Sequence, residues 1–299
     1  KIVFGAGVLW ASVFTIVTPL TINYLPIVVV CRIITGFGES VTYPTVHHLI
    51  ASWFPVSEKS GAVTFAWAGS YLGTVVTMWL SPHIVNHPDL GWEFAFYCFG
   101  IAGGIWFILW MLFTASTPND ASAECMLVPM TAYEKHYILT TRGETKELQL
   151  SEIPWMSLLT SIRLWAIIVN HFCANWNIYV IMMWLPSFMK NSLHYDLSKA
   201  GVASFIPFLT LFLVSLIVGV IADIIIHRKL LSLTWTRKVF QAIGLTVPAL
   251  FLLLLSFQHI SSPTIAVVYM TISVGFIGAT LAGYGPNHMD LDPKYAGIM

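Results

Sequence analysis

Apolar runs of about twenty residues alternate with short polar turns along most of this 299-residue chain. Four runs come first, at residues 2–20, 26–53, 62–84 and 94–114. Four more follow at residues 164–189, 200–226, 239–257 and 264–285. At about 1.5 Å per residue in a helix, each is long enough to cross a bilayer core of about 30 Å. Between the two sets, residues 115–160 carry nine charged side chains with interspersed Ser, Thr and Pro, the signature of a polar connector. The pattern predicts an all-α polytopic membrane protein with an N-terminal helical half at 1–114, a central loop at 115–160 and a C-terminal helical half at 161–299. Two such halves joined by a long loop point to a carrier built from repeats.

Composition agrees with the pattern. Hydrophobic residues make up 57% of the chain and charged residues 9%, against roughly 25% charged in an ordinary soluble domain. The formal net charge is zero, so nothing points to a nucleic-acid partner. Basic residues are distributed unevenly between the loops. With Lys1 on the cytoplasmic side, the cytoplasmic segments hold Lys1, Lys59, Lys135, Arg142, Lys146, Arg163, Arg228, Lys229, Arg237, Lys238 and Lys294. The opposite side holds only Lys190 and Lys199, so the central loop is predicted to be cytoplasmic.

The second run breaks the apolar rule. PIVVVCRIITGFGESVTYPTVHHLIASW carries Arg32, Glu39 and His47. Glu39 lies about halfway along, at the depth where a charge costs roughly 2.5–3.5 kcal/mol even on mild scales. On one continuous helix Arg32 and Glu39, seven residues apart, share a face. The two readings are a structural ion pair and a substrate or ion pathway; an intramembrane ionisable pair favours the pathway. His47 serves either proton exchange or hydrogen-bonded packing.

Other features discriminate less. Cys31, Cys98, Cys125 and Cys173 form no CxxC pair, and a small buried hydrophobe suffices for those within spans. Asn287, His288, Asp290 and Asp292 cluster after the last run; their spacing is that of a loop or gate rather than a known metal site. HExxH, GxSxG and paired intramembrane aspartates are absent, which argues against a membrane-embedded enzyme. The chain starts inside an apolar run and stops just after LDPKYAGI, and is read as the middle of a longer one.

A family resemblance rests on several of these segments in order. RIITGFGESVTYPTVHHLIASWFPVSEKSG, GSYLGTVV (69–76), FYCFGIAGGIWFILW (96–110), YEKHYI (133–138), LWAIIVNHFCANWNIYVIMMWLPSFM (164–189) and GYGPNHMDLDPKYAGI (283–298) resemble the anion:cation symporter branch of the major facilitator superfamily. That branch includes sialin, the vesicular glutamate transporters and sodium–phosphate carriers. Sialin is most similar, through HF–NW–Y and LPSFMK. The resemblance implies the major facilitator fold, with this fragment covering about helices three to ten of twelve. It implies no cofactor and a small organic anion moved with a coupling proton, or sodium, across a lysosomal, vesicular or plasma membrane.

The resemblance also assigns roles. Residues 26–53, 164–189 and 264–285 become cavity-lining helices. Glu39 becomes the proton carrier, since burial disfavours a charged carboxylate. Arg32 becomes the partner of an anionic substrate. Asn175 and Tyr179, an i, i+4 pair, either hydrogen-bond a hydroxylated substrate or pack between helices. GVIADIIIHRK (219–229) matches the turn that carriers of this superfamily use between paired helices, which gives Asp223 and Arg228 a gating role. Vesicular glutamate transporters carry an arginine within the FC–SW motif of the seventh helix, where FCANW here has Ala174. This departure implies a monoanion of the sialic- or uronic-acid type; the alternatives are a sodium-coupled phosphate or vesicular glutamate-type carrier, or a non-transporting receptor.

Overall fold

A computed structural model describes residues 1–55, 59–121, 130–142, 153–257 and 262–291. Among the described residues the secondary structure is helical throughout, with no strand. Eight helical segments are long and apolar enough to cross a membrane: Ile2–Thr21, Leu25–Trp53, Gly61–Val85, Trp92–Phe113, Ile162–Asn191, Lys199–His227, Leu233–Phe257 and Pro263–Gly283. They fall on the eight apolar runs. Many of their large apolar side chains, such as Phe37, Phe65 and Met183, point outward. That is the arrangement of helices solvated by lipid, where an exposed apolar face costs nothing.

The contacts separate two compact units, Lys1–Ala62 with Ile84–Glu147, and Val63–His83 with Leu148–Met299. In the first unit α1 (Ile2–Val17) packs on α5 (Trp92–Phe113) and on α2 (Leu25–Ser40). Small residues set the distances. A Cβ at Gly38 would stand 2.9 Å from the Gly7 carbonyl and from Trp10 Cδ1, so α1 and α2 cross in near backbone contact. Trp10 Nε1 donates to the Ile34 carbonyl at 3.1 Å across the same crossing. On the other side, Phe4 packs edge-on against Trp106 and Trp110, and Trp110 Nε1 donates to the Lys1 carbonyl at 3.1 Å.

The second run is one helical span with a local irregularity at Val41, whose φ of −79° and ψ of −10° stay in the right-handed helical region. It divides into α2 and α3 (Thr42–Trp53), with Val41 between them. The cause is Pro44, which has no N–H to give the Ser40 carbonyl and cannot continue the ladder through that turn. Ser40 Oγ and Thr45 Oγ1 turn to local carbonyls, those of Phe37 and Val41, at 2.8 and 2.6 Å. His47 lies on α3, beyond the irregularity at Val41 but in the same span as Arg32 and Glu39.

In the described part of the central loop, α6 (Ala132–Thr141) starts on a capping box, Thr131 Oγ1 accepting from Glu134 N–H at 3.2 Å. Arg142 Nη1 donates to the Ser52 carbonyl at 3.1 Å and ties this helix to the end of α3. Lys146 and Cys125 lie outside the described residues.

The second unit contains most of α4 (Lys59–Val85), then α7 (Trp155–Leu159), α8 (Ile162–Asn191), α9 (Leu197–His227), α10 (Leu233–Phe257), α11 (Pro263–Ile277), α12 (Thr280–Gly283) and α13 (Asn287–Leu291). Its core joins Val75 of α4, Ile181, Leu185 and Met189 of α8, Phe208 and Leu211 of α9, and Met270 and Val274 of α11. Close helix packing explains the glycines of the last span. A Cβ at Gly278 would stand 2.9 Å from the Leu211 carbonyl and the Ser215 nitrogen, and one at Gly275 would press on Thr210. At Gly69 and Gly73 of α4, an added Cβ would meet nothing within 4 Å. Helix α10 starts at Leu233, six residues before the apolar run, because Ser232 caps it and the early Arg237 and Lys238 are tolerated by a helix that extends past the bilayer core.

Candidate functional site

Glu39 is the last acidic residue of α2, next to the irregularity at Val41. Its side chain lines a cavity of about 280 Å³ in the first unit, together with Gly7, Ser12 and Thr15 of α1, Thr42 of α3 and Phe99 of α5. The hydroxyls of Ser12 and Thr15 donate back to the carbonyls of Val8 and Ala11, at 2.7 and 2.8 Å. Their protons are committed, so toward Glu39 these oxygens present only lone pairs. The volume lies at the small end of ligand pockets, which run about 300–1,000 Å³.

Arg32 stands two turns earlier on α2, exposed, its guanidinium 5.3 Å from the centre of the Phe96 ring on α5. No ion pair joins Arg32 to Glu39 among the described residues. The ring holds the guanidinium by its quadrupole and leaves its N–H fork available to an anion. His47 is half-buried on α3. Ser12, Thr15, Thr42 and Phe96 are the members of this site that the hydropathy pattern does not single out. The signal for the first two was visible: two hydroxyls three residues apart share one face of an apolar helix.

In the second unit Asn175 is half-buried and Tyr179 exposed, one turn apart on α8. Ala174 is buried, 3% exposed, so its position faces packed protein. Asp223 is exposed on α9, and Arg228 is the exposed C-cap residue of the same helix. The charge that acts on Asp223 is that of Arg237, on the first turns of α10. Arg237 Nε donates to Asp290 Oδ2 at 2.7 Å, and Nη1 donates to the Ala282 carbonyl at 3.0 Å. One guanidinium thus ties α10 to α12 and α13. Beside it the His171 ring of α8 packs 4.9 Å from Tyr284 and 6.2 Å from His288. Burial pushes the His288 imidazole below the ordinary histidine range, while its contact with the Gly285 carbonyl at 3.4 Å pulls the other way. The polar cluster foreseen after the last run is therefore a junction in which His288 and Asp290 take part; Asp292 lies outside the described residues.

Eight helical spans long and apolar enough to cross a membrane, with a carboxylate and a guanidinium on one of them, are those of a multi-pass membrane protein. The chain belongs to the major facilitator superfamily, whose description, Major Facilitator Superfamily, matches residues 1–299. It is 37% identical over 300 residues to sialin of Ovis aries, covering 100% of this chain and 59% of that protein. It is 36% identical over 300 residues to the chloroplastic ascorbate transporter of Arabidopsis thaliana, at 100% and 53% coverage. To vesicular glutamate transporter 3 of Danio rerio it is 32% identical over 302 residues, at 99% and 50%. These relatives are those of the anion:cation symporter family. The chain spans about half the length of the curated relatives it matches.

Proposed function

We propose that the protein containing this chain is a secondary active transporter of small organic anions, coupled to protons through Glu39. The observation that carries the reading is the Glu39 carboxyl on its small hydroxyl-lined cavity, with Arg32 held two turns away on the same helix. Arg32 receives the anionic group of the substrate. Glu39, on the same helix, carries the coupling proton. Substrate and proton load together, which is symport. The relatives' names, which are those of anion carriers, support the substrate class.

The substrate is a monoanion bearing hydroxyls, of the sialic- or uronic-acid type, with Asn175 and Tyr179 serving its hydroxyls. The sequence departure at Ala174, where vesicular glutamate transporters carry an arginine, supports this reading by the missing cation alone, since Ala174 itself is packed against protein. Asp223 and Arg228 flank the turn that opens and closes access. A second reading, a sodium-coupled phosphate or vesicular glutamate-type carrier, draws on relatives with those names.

The test is uptake by the full-length protein in proteoliposomes under an imposed pH gradient. Glu39→Gln abolishes gradient-driven accumulation and keeps exchange of substrate for substrate. Undiminished gradient-driven uptake by that variant overturns the coupling role. Competition between glucuronate and glutamate for the wild-type carrier separates the substrate readings, and tighter binding of glutamate overturns the sugar-acid reading.

A further inference from the structure

The turn between α9 and α10 carries more positive charge than the described residues neutralise. Arg228, Lys229, Arg237 and Lys238 lie within eleven residues, and no Asp or Glu occurs from Ile224 to Met289. Arg237 is committed to Asp290. Arg228, Lys229 and Lys238 are exposed.

The backbone shows how the turn presents them. Helix α9 ends in a Schellman motif, Lys229 N–H donating to the Ile226 carbonyl and Leu230 N–H to the Ile225 carbonyl, at 3.1 and 3.0 Å. Lys229 accepts the left-handed conformation this needs, with φ of 53°. The residue after it in such a motif ordinarily packs back on the helix. Here Leu230 is 64% exposed, and Leu231, Leu233 and Trp235 are also open. Lys238 Nζ stands 5.5 Å from the centre of the Trp235 ring, so cation and aromatic form one surface.

This surface joins the end of one membrane span to the start of the next, which puts it at the boundary of the bilayer. We propose that it is a binding site for the headgroup of an anionic phospholipid. Arg228, Lys229 and Lys238 take the phosphate and carboxylate oxygens, and Trp235 with Leu230 and Leu231 sits among the upper acyl carbons. The chemistry matches on both counts: tryptophan favours the headgroup level, and a cation near an anionic leaflet strengthens attraction about fivefold. Three such cations give roughly 100-fold preference over a zwitterionic lipid before screening by salt.

The experiment uses the purified full-length protein in detergent, offered equal amounts of phosphatidylserine and phosphatidylcholine, with retained lipid counted by native mass spectrometry. Wild type retains phosphatidylserine at least tenfold over phosphatidylcholine. Arg228→Gln with Lys229→Gln and Lys238→Gln brings the ratio close to one. Lys238→Arg keeps the charge and the preference, and Lys238→Gln alone lowers it about fivefold, so a triple variant that fails to fold does not remove the test. A wild-type ratio near one overturns the proposal, as does a ratio unchanged in a triple variant of normal melting temperature. Displacement of the lipid by millimolar inorganic phosphate or by an acidic peptide overturns it as well, because either would show a site for a soluble anion.

Discussion

The Arg237 guanidinium donates to the Asp290 carboxylate at 2.7 Å, with side chains only 11% and 22% exposed. The two residues are 53 positions apart, and their bond holds the start of α10 to α13. Arg237→Ala leaves Asp290 and the Ala282 carbonyl without this partner. Removing one member of a mostly buried pair costs about 1–3 kcal/mol here, below the full range for complete burial because some water reaches Asp290. The expected outcome is a lower melting temperature of the full-length protein in detergent. Asp290→Asn lowers it less, and the double variant costs less than the two single variants added together.

At the crossing of α1 and α2, a larger side chain at Gly38 has no room, because Gly7 and Trp10 stand at contact already. Gly38→Val forces the two helices apart at a cost of about 1–3 kcal/mol. Gly36, on the same helix, faces open space, and Gly36→Ala is expected to be neutral or slightly stabilising. Melting temperatures of the two variants in detergent distinguish a packing contact from a general intolerance of the helix.

Arg32 presents a planar, permanently charged fork against Phe96. Arg32→Lys keeps the charge and loses the two-pronged contact with a carboxylate, so uptake weakens about tenfold or more. Arg32→Ala nearly removes it. Phe96→Leu takes away only the ring beneath the cation, worth about 0.5–1 kcal/mol, and affinity falls a few-fold. Uptake kinetics in proteoliposomes measure all three, and normal affinity in a folded Arg32→Ala protein counts against the role.

His288 makes stability depend on acid. Its imidazole is held below the ordinary value of 6.5 by burial, so the folded state favours the neutral ring. The unfolded chain binds that proton more readily, and the contribution is complete above about pH 6.5 and is lost as pH falls through the lower folded value. Neighbouring charge reinforces the loss, since His171 and His288 repel each other when both are protonated. The melting temperature is expected to fall between pH 7.5 and 5, and His288→Gln to flatten that fall.

The eight spans were legible in one dimension. A bilayer core imposes a length and an apolar composition on any helix that crosses it, so the pattern carries the answer without neighbours. The irregularity at Val41 was not foreseen, although its cause, the N–H that Pro44 lacks, is a local fact. The motifs carried the family for the same reason, being contiguous stretches. What only the tertiary structure decided depends on residues distant in sequence. Arg32 faces Phe96 and not Glu39, and Glu39 finds its cavity among Ser12 and Thr15 of another helix. Arg237 rather than Arg228 is the cation whose charge reaches Asp223, and Val63–His83 packs with the second unit although it follows the first in the chain. Lipid-facing helices have no apolar side to mark a partner. The choice of neighbour therefore rests on small residues and on single polar contacts whose meaning appears only once two surfaces meet.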